Sequence, residues 1–383
     1  MTTPPKLRVL MTTDAVGGAW TFSTSLARSL AARHCAVHLV VMGPRPAPHQ
    51  LDVFRGLYDI SVEVTDLALE WLDPGGTDVA RARKRLQTIA GRERPDIVHL
   101  NGFREALADW NAPTLVTAHS CVRTWWRAVR GGEPQGVEWQ AYMGNVRAAL
   151  QRTPWVAPTE AFRHSIASLY LPSTPGRTIR NGIEPAERPA SKEPFILAAG
   201  RLWDEAKNIS ALGAAARRLD WPIRIAGDGV PAWAAGSDRL TSGLTLLGRL
   251  SREELQAEMR RAAIFASPAI YEPFGLAVLE AARAGCALAL ADIATFRELW
   301  DGAALFADPL SDRAFCDILV RLRNDGDLRT KLGAAAAERA RRYTLADTTE
   351  AYLDAYDSVQ CRHRTPTPTR FSQSLAATMG MPA

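Results

Sequence analysis

Short apolar runs rich in Val, Ile and Leu alternate along the chain with longer alanine- and arginine-rich stretches of helical period. This alternation is typical of βαβ units, in which each strand of a parallel sheet is followed by a helix that covers it. The first half contains such strand-like runs at residues 7–11, 36–42, 97–100, 114–118 and 155–157. The pattern therefore predicts an α/β domain, residues 1–183.

A break in the pattern divides the chain. The segment EPAERPASKEP, residues 184–194, holds three prolines and no apolar period, which predicts a semi-rigid linker. Strand-like runs then restart at residues 195–199, 223–226, 244–247, 264–266 and 287–291. We expect a second α/β domain, residues 195–344, and a ligand cleft where the carboxyl ends of both sheets face each other.

The last part of the chain reads as helical. Apolar periods near 312–323, 327–342 and 345–359 predict three helices, and we treat residues 345–361 as a separate C-terminal helix. The tail, residues 362–383, is rich in Thr and Pro with few apolar residues, so disorder is expected there.

Composition narrows the function class without deciding it. The 383 residues exceed what one core usually supports, and 47% hydrophobic with 23% charged residues excludes fibrous and wholly disordered chains. The net charge of +5 is spread among alternating acids and bases, so no nucleic-acid partner is predicted. Five widely spaced cysteines without a CxxC pair predict neither a disulfide framework nor a zinc site.

The N-terminus lacks the apolar core of a secretory signal, and no run is long enough to cross a membrane. We therefore expect a cytoplasmic protein. The small basic excess is also compatible with peripheral contact to an anionic membrane on its inner face.

The segment SPAIYEPFGLAVLEAARAG carries the most informative pattern. Glu272 precedes a helix predicted to begin at Gly275, and Glu280 lies further along that helix. A helix N-terminus offers free N–H groups and positive potential to a diphosphate. Glu272 would then face the group attached to the diphosphate, and Glu280 would face a ribose. The structural alternative is an ordinary helix-start acid and a solvated helix residue.

The segment AAGRLWDEAKNIS places Arg201 and Lys207 after a strand, where two cations suit a phosphate group. Surface charge is the plain alternative. Two further turns, at residues 226–229 and 246–251, each end a predicted strand, and turn-forming glycine explains them equally well.

In the first domain, DAVGGAW places Gly17 and Gly18 in a turn after the first strand, without a GxGxxG or P-loop pattern. His119 ends another strand, where a lone histidine is more often structural than catalytic. Trp125 and Trp126 are adjacent and cannot share one core face, so at least one is a candidate platform for an acceptor, with Arg123 beside it. A core anchor is the alternative for either tryptophan.

Together these segments resemble glycosyltransferase family 4, across roughly residues 7–360. The shared features, in chain order, are Gly17 and Gly18 in the first turn, His119 after a strand, the turn Arg180-Asn181-Gly182, Arg201 with Lys207, and Glu272 with Glu280. The resemblance implies the GT-B fold, an α/β arrangement of two Rossmann-like domains facing across a cleft. It also implies that the C-terminal domain holds the donor, the N-terminal domain holds the acceptor, and the last helix crosses back.

The resemblance further implies roles for single residues. Arg201 and Lys207 would neutralise a diphosphate, helped by amides near Phe274, Gly275 and Leu276. Glu272 and His119 would contact the donor sugar, which makes Glu272, His119, Arg201 and Lys207 the expected catalytic group. The remaining expected donor contacts are Glu280 at the ribose, Gly248, Arg249 and Leu250 beside the base, and Gly17 and Gly18 opposite.

The implied reaction transfers a glycosyl group, with retention, from a UDP-, GDP- or ADP-sugar to a sugar or lipid-linked acceptor, in polysaccharide, glycolipid or glycoconjugate synthesis. No Asp-x-Asp pair ends a strand, so neither a metal site nor another cofactor is expected. A nucleotide-sugar epimerase of the same architecture and a non-catalytic nucleotide-sugar sensor are the alternatives. A phosphorylase would need pyridoxal phosphate and a much longer chain.

Overall fold

The computed structural model describes residues 7–184, 191–227, 229 and 244–364. Most of the expected linker, at 185–190, most of the expected disordered tail, at 365–383, and Asp228 of the 226–229 turn lie outside the described residues.

The N-terminal domain is built on a parallel sheet of seven strands in the order β3-β2-β1-β4-β5-β6-β7. The strands are β1 Arg8–Asp14, β2 Ala36–Met42, β3 Ile60–Val64, β4 Ile97–Leu100, β5 Thr114–Thr117, β6 Trp155–Ala157 and β7 Arg177–Thr178. The five predicted strands are confirmed. β3 and β7 were not predicted: both are edge strands, β3 is mostly outside the core, and β7 is two residues long.

Helices cover both faces of this sheet. They are α1 Gly17–Ala31, α2 Pro48–Leu51, α3 Val79–Glu93, α4 Val122–Arg130, α5 Val137–Arg152 and α6 Glu160–Tyr170. One buried cluster joins the sheet to α3, α5 and α6, and another joins its opposite face to α1. The residues of the inner strands are buried on both faces of the sheet, which explains their nearly continuous apolar sequence.

The C-terminal domain has a parallel sheet of six described strands in the order β10-β9-β8-β11-β12-β13. The strands are β8 Glu193–Ala199, β9 Ile223–Ala226, β10 Thr245–Gly248, β11 Ala262–Ser267, β12 Ala287–Ala291 and β13 Ala304–Ala307; the edge strand β13 was not predicted. The helices are α7 Ile209–Ala216, α8 Arg252–Arg261, α9 Leu276–Arg283, α10 Ala294–Trp300, α11 Asp312–Asn324 and α12 Gly326–Ala340. α9, α10 and α12 pack on one face of the sheet, and α7 and α11 on the other.

The final helix, α13 Leu345–Arg364, packs on the N-terminal domain. Tyr352 and Tyr356 are fully buried there. The Tyr356 hydroxyl is 2.8 Å from Nδ1 of His99, and the Tyr352 hydroxyl is 3.0 Å from Oγ1 of Thr117. His99 is therefore a core histidine, and its burial lowers its pKa to about 3.

The two domains also touch directly. Glu298 of α10 accepts hydrogen bonds from the first amides of α6, at Glu160 (3.1 Å) and Ala161 (2.8 Å), and pairs with Arg180 at 2.9 Å. Thr159 donates to the carbonyl of Pro273 at 2.9 Å. These contacts bring the carboxyl ends of the two sheets together, where the residues singled out in the sequence lie.

Candidate functional site

An ion pair between Lys207 and Glu272 forms the centre of the site. Nζ of Lys207 lies 2.7 Å from Oε2 of Glu272, and about a fifth of each side chain is exposed (19% and 20%). Partial burial strengthens such a pair compared with a surface pair, because less water screens it. The two residues are 65 positions apart in the chain, and the fold brings them into contact.

Backbone contacts hold the two segments in register. Ile270 donates its amide to the carbonyl of Ala206 at 2.8 Å, and Thr295 donates its hydroxyl to the carbonyl of Glu272 at 2.7 Å. Glu272 is therefore fixed by its main chain as well as by its carboxylate. The loop has little freedom to turn Glu272 away from the cleft.

The start of α9 requires glycine. Gly275 has φ +87°, and a Cβ there would lie 3.0 Å from the Phe296 ring, so a larger residue would be both strained and crowded. The side chain of Phe274 is buried against Tyr343, at a ring separation of 6.2 Å. Phe274 can thus contact a ligand only through its backbone.

Arg201 lies where the domains meet. Its Nη2 donates to Oδ2 of Asp204 at 2.6 Å, and its guanidinium lies 5.2 Å from the centre of the Trp203 ring. From the N-terminal domain, Gly17 approaches so closely that a Cβ there would be 2.9 Å from Nη1 of Arg201, and Gly17 has φ +63°. The glycine turn after β1 therefore faces the cation of the opposite domain.

Gly18 and Leu276, two further predicted donor residues, share this neighbourhood: a Cβ at Gly18 would lie 3.8 Å from Leu276, which is in the first turn of α9. Asp14, at the end of β1, was not predicted, and it lies close enough to Arg201 to interact electrostatically. Burial raises the pKa of Asp14 to about 6, against the amide of Val16 and the charge of Arg201, which both lower it.

Glu280 lies one turn further along α9. Burial raises the pKa of its carboxyl, and the charge of Arg252 at the start of α8 opposes that effect. Gly248 ends β10, with Arg249 exposed and Leu250 half-buried after it, and the amide of Gly227 donates to the Gly248 carbonyl at 2.8 Å. The segment after β10 thus leads to Arg252, beside Glu280.

His119 follows β5 on the N-terminal side of the cleft. Its Nε2 is 2.7 Å from Oδ1 of Asn101, and its ring meets the ring of Phe22 at 4.6 Å. Burial lowers the pKa of His119 to about 4, so the imidazole is neutral at physiological pH.

Neither tryptophan of the predicted acceptor segment is a core anchor. Trp125 and Trp126 are half-buried on α4, and their rings meet at 6.0 Å. Trp125 reaches the opposite domain, where Nε1 donates to Oδ1 of Asp204 at 3.2 Å. Trp126 meets Trp139 at 5.9 Å and extends the aromatic surface along α5.

The arginines of α4 are already paired with acids. Arg123 donates to Glu133 at 2.6 and 3.1 Å, Arg127 donates to the same carboxylate at 3.0 Å, and Arg130 pairs with Glu205 at 2.6 Å. Arg123 also donates to the carbonyl of Leu169 at 2.6 Å. Arg123 therefore holds together the structure beneath the tryptophans, and an anionic acceptor would have to compete with Glu133 for it.

A buried charge cluster that sequence reasoning missed lies behind this wall of the cleft. Arg104, only 2% exposed, pairs with Asp73 and Glu105 at 2.8 Å each. Glu70 accepts the amides of Phe103 and Arg104 at 3.1 and 3.0 Å. Burial, followed by the charge of Glu105, raises the pKa of Glu70 to about 7.

The raised pKa of Glu70 predicts how stability changes with pH. Between about pH 5 and 7 the folded protein keeps a proton on Glu70 that the unfolded chain releases, so this group's contribution to stability falls as pH rises through that window. Glu70→Gln keeps the size and removes the titration. We expect the variant to unfold at higher urea than the wild type at pH 8, with the gap closing near pH 5.

Glu133→Gln is the control with the opposite sign. The pKa of Glu133 is lowered, chiefly by its hydrogen bond from Arg123. Removing the Glu133 carboxylate should therefore destabilise the protein equally at pH 8 and pH 6, where the carboxylate is ionised in both the folded and the unfolded chain. If the stability of the wild type and of Glu70→Gln changed identically with pH, the raised pKa of Glu70 and the burial that causes it would be contradicted.

Other contacts in the cleft depend on partners distant in sequence. Tyr271, next to Glu272, crosses to the N-terminal domain, where its hydroxyl lies 2.8 Å from Oγ1 of Thr124 and accepts the amide of Cys121 at 3.1 Å. Asp204 and Asn101 were likewise not predicted as functional. Two signals in the sequence could have identified them: Asp204 lies inside the AAGRLWDEAKNIS segment, and Asn101 directly follows a predicted strand.

Within the described part of the chain, no group of three or more His, Cys, Asp or Glu side chains is arranged to hold a metal ion. No helix there combines the length and apolar character needed to span a bilayer.

Comparison with known proteins gives this geometry a context. Residues 16–187 match the family model described as Glycosyltransferase Family 4, and residues 193–325 match that described as Glycosyl transferases group 1. The glycogen synthase of Mycobacterium tuberculosis is 29% identical over 253 residues, which cover 59% of this chain and 59% of that enzyme. The chain thus spans less than two thirds of that curated relative.

Solved structures show the same architecture. Sucrose-phosphate synthase from Thermosynechococcus elongatus superimposes with a TM-score of 0.78 at 15% identity, over 93% of this chain and all of that one. The HepE protein of Anabaena, solved with UDP and glucose, gives a TM-score of 0.72 at 15% identity, over 92% and 100% of the two chains. These likenesses confirm the fold as GT-B, with two Rossmann-like domains. The two family models divide the chain as its two domains do, and both describe glycosyltransferases, with family 4 named for residues 16–187.

Proposed function

We propose that this protein moves a glycosyl group from a nucleotide diphosphate sugar to an acceptor hydroxyl with retention of configuration, in the synthesis of a polysaccharide, glycolipid or glycoconjugate. The observation that carries the proposal is the Lys207–Glu272 pair at the start of α9, with Arg201 in the same cleft. A carboxylate beside two cations suits a reaction in which positive charge develops on a sugar and negative charge on a phosphate.

The leaving diphosphate would lie against Lys207, Arg201 and the first amides of α9. As the bond from the anomeric carbon to the phosphate oxygen breaks, its electron pair stays on the diphosphate, and fixed positive charge there lowers the barrier. The acceptor oxygen forms the new bond, and its proton passes to the departing phosphate. Gly17 and Gly18 would close over the same group from the other domain.

The sugar and nucleoside would lie on either side of the diphosphate. Glu272 would stabilise the oxocarbenium-like ring, and His119 would hydrogen-bond the sugar from the N-terminal domain. Glu280 would hold the ribose hydroxyls, with the base beside Gly248, Arg249 and Leu250. The nearness of Arg252 to Glu280 supports this order, because it places the segment after β10 next to the ribose position.

The acceptor would bind on the N-terminal side, against the indoles of Trp125 and Trp126. Aromatic faces suit the C–H surface of a sugar. A lipid-linked acceptor would bring the protein to a membrane surface. The arginines of α4 are each paired with Glu133 or Glu205, so basic residues elsewhere would have to supply attraction to anionic lipid.

Donor binding followed by product analysis tests the proposal. A thermal-shift panel of UDP-, GDP- and ADP-sugars should identify a donor that raises the melting temperature, because ligand binding to the folded state alone stabilises it. The same donor should then be slowly hydrolysed without acceptor, with the anomeric configuration retained. Binding without hydrolysis or transfer would favour the nucleotide-sugar sensor, and isomerised donor would favour the epimerase.

Chelation provides a separate prediction. Lys207, Arg201 and the start of α9 supply the positive potential that a magnesium ion would otherwise provide, so excess EDTA should leave transfer largely intact. Initial rates with and without EDTA measure this. Complete loss of activity that magnesium restores would contradict a metal-independent mechanism.

Trp125→Phe probes how the domains cooperate. The substitution removes the indole donor to Asp204 and keeps an aromatic ring, so Arg201 loses part of its support. We expect the donor Kd to rise about threefold to tenfold, corresponding to a hydrogen bond of roughly 1 kcal/mol. Trp126→Phe is the matched control, since the Trp126 indole has no hydrogen-bond partner within the described chain. Equal donor affinities in the two variants would leave Trp125 with an acceptor role alone.

A further inference from the structure

We infer that Asn101 fixes the tautomer of His119, so that the ring presents an unprotonated Nδ1 to whatever occupies the cleft. Asn101 is then a positioning residue, and His119 is a hydrogen-bond acceptor that selects a free hydroxyl. The inference about the ring stands on the hydrogen bonds and the burial of His119; its meaning for the donor sugar rests on the proposed function.

The orientation of the Asn101 amide is decided by its partners. Its Nδ2 lies 2.6 Å from the carbonyl oxygen of Thr12 and 3.1 Å from Oγ of Ser23. A backbone carbonyl can only accept, so the amide nitrogen must face Thr12. Oδ1 therefore faces His119, at 2.7 Å from Nε2. The backbone adds a further restraint, because the Asn101 amide donates to Oγ1 of Thr12 at 3.0 Å.

The Asn101 oxygen then decides the state of the ring. A carbonyl oxygen cannot donate, so Nε2 must carry a hydrogen to make this contact. Burial lowers the pKa of His119 to about 4, so the ring carries one hydrogen only at neutral pH. Nδ1 is consequently left with a free lone pair, and no described residue donates to it.

The surroundings of His119 leave this assignment undisturbed. α1 contributes the uncharged ring of Phe22. β4 contributes His99, whose own nitrogens are occupied by Tyr356 and Thr117 and whose pKa is lowered to about 3. Neither element places a carboxylate against the ring, so nothing there favours a second proton.

An acceptor at Nδ1 restricts the ligand chemistry. A sugar hydroxyl can donate to it, whereas a phosphate oxygen, a ring oxygen or an O-methyl group cannot. With a donor sugar in the cleft, His119 would thus require a free hydroxyl at the position it touches. The corresponding deoxy sugar should be transferred about ten times less efficiently or worse, since roughly 1.4 kcal/mol corresponds to tenfold.

The ring state can be measured without substrate. Nitrogen-15 NMR of the full chain labelled at histidine, assigned with a His119 variant, should show a neutral ring protonated at Nε2 from pH 6 to 8. A ring protonated at Nδ1, or an imidazolium, would overturn the inference. Asn101→Leu should give a mixture of tautomers, whereas Ser23→Ala, which leaves the Thr12 carbonyl in place, should not.

Asn101→Asp links the ring to activity. A carboxylate beside Nε2–H stabilises the imidazolium, so the pKa of His119 should rise and Nδ1 become a donor as pH falls. The variant should lose kcat/KM progressively below neutral pH, where the wild type stays flat. Parallel pH profiles would overturn the link while wild-type transfer still upheld the proposed function. A wild type that transfers no sugar would fail the proposed function and leave the NMR result to decide the tautomer.

Discussion

Lys207→Ala is expected to lower kcat by about two to three orders of magnitude, the usual cost of removing one fixed group that stabilises transition-state charge. The substitution removes a cation from the proposed diphosphate site and also leaves Glu272 without its 2.7 Å partner. Both effects grow as the leaving group gains charge, so the loss should fall on kcat and only partly on donor affinity. Steady-state kinetics with direct donor-binding measurements separate the two.

Glu272→Gln completes a double-mutant cycle with Lys207→Ala. The amide keeps the side-chain size and loses the charge, so we expect a folded protein that binds nucleotide and transfers little sugar. Because the two residues contact each other, their effects should not add, and the double variant should lose less than the product of the single losses. Lys331→Ala, at an exposed position of α12, is the control lysine. Wild-type kcat in both single variants would refute the donor-site assignment, and unfolding of Glu272→Gln would favour a structural role.

Arg104→Met is expected to cost about 3 to 5 kcal/mol of stability, because it leaves Asp73 and Glu105 buried without their counter-ion. Methionine fills much of the volume, so the loss would reflect charge more than a cavity. Urea unfolding at pH 7 measures it. Lowering the pH should recover part of the loss, since protonation removes the uncompensated charge.

Arg81→Met is the matched surface control. Arg81 pairs with Asp66 and Asp78, and its side chain is 51% exposed, so water screens these ion pairs and the substitution should change stability little. Equal destabilisation by the two substitutions would mean that the Arg104 cluster is solvated. In that case Glu70 would also lose the environment that raises its pKa.

The buried strands could be predicted because their apolar runs carry the signal locally. The strands β3, β7 and β13 were missed since each is at a sheet edge, where a strand is half-exposed or short and its pattern is weak. The alternation of strand-like and helical segments was enough to predict the two-domain architecture, because that architecture depends on no single contact.

Site residues could be predicted only where a local motif indicates their chemistry. Lys207 and Glu272 were singled out as separate motifs, and their contact required the fold. Arg123 was predicted to contact an acceptor, but its guanidinium is paired with Glu133. That partner is ten residues away, across a turn whose shape the sequence does not reveal. Asn101 contacts Thr12 and His119, and Asp204 joins its near neighbour Arg201 to the distant Trp125, so the role of neither residue could be assigned before the fold was known.

The return of α13 to the N-terminal domain affects the order in which the protein can mature. Tyr352 and Tyr356 belong to the core of the first domain but are synthesised after the whole second domain. During translation the slot beside His99 and Thr117 must therefore stay open until the last helix emerges. The first domain would stay incompletely packed while the second domain folds, and its open core would be accessible to chaperones and proteases. A released chain that ends before Leu345 should accordingly be cleaved by protease in its first domain before its second.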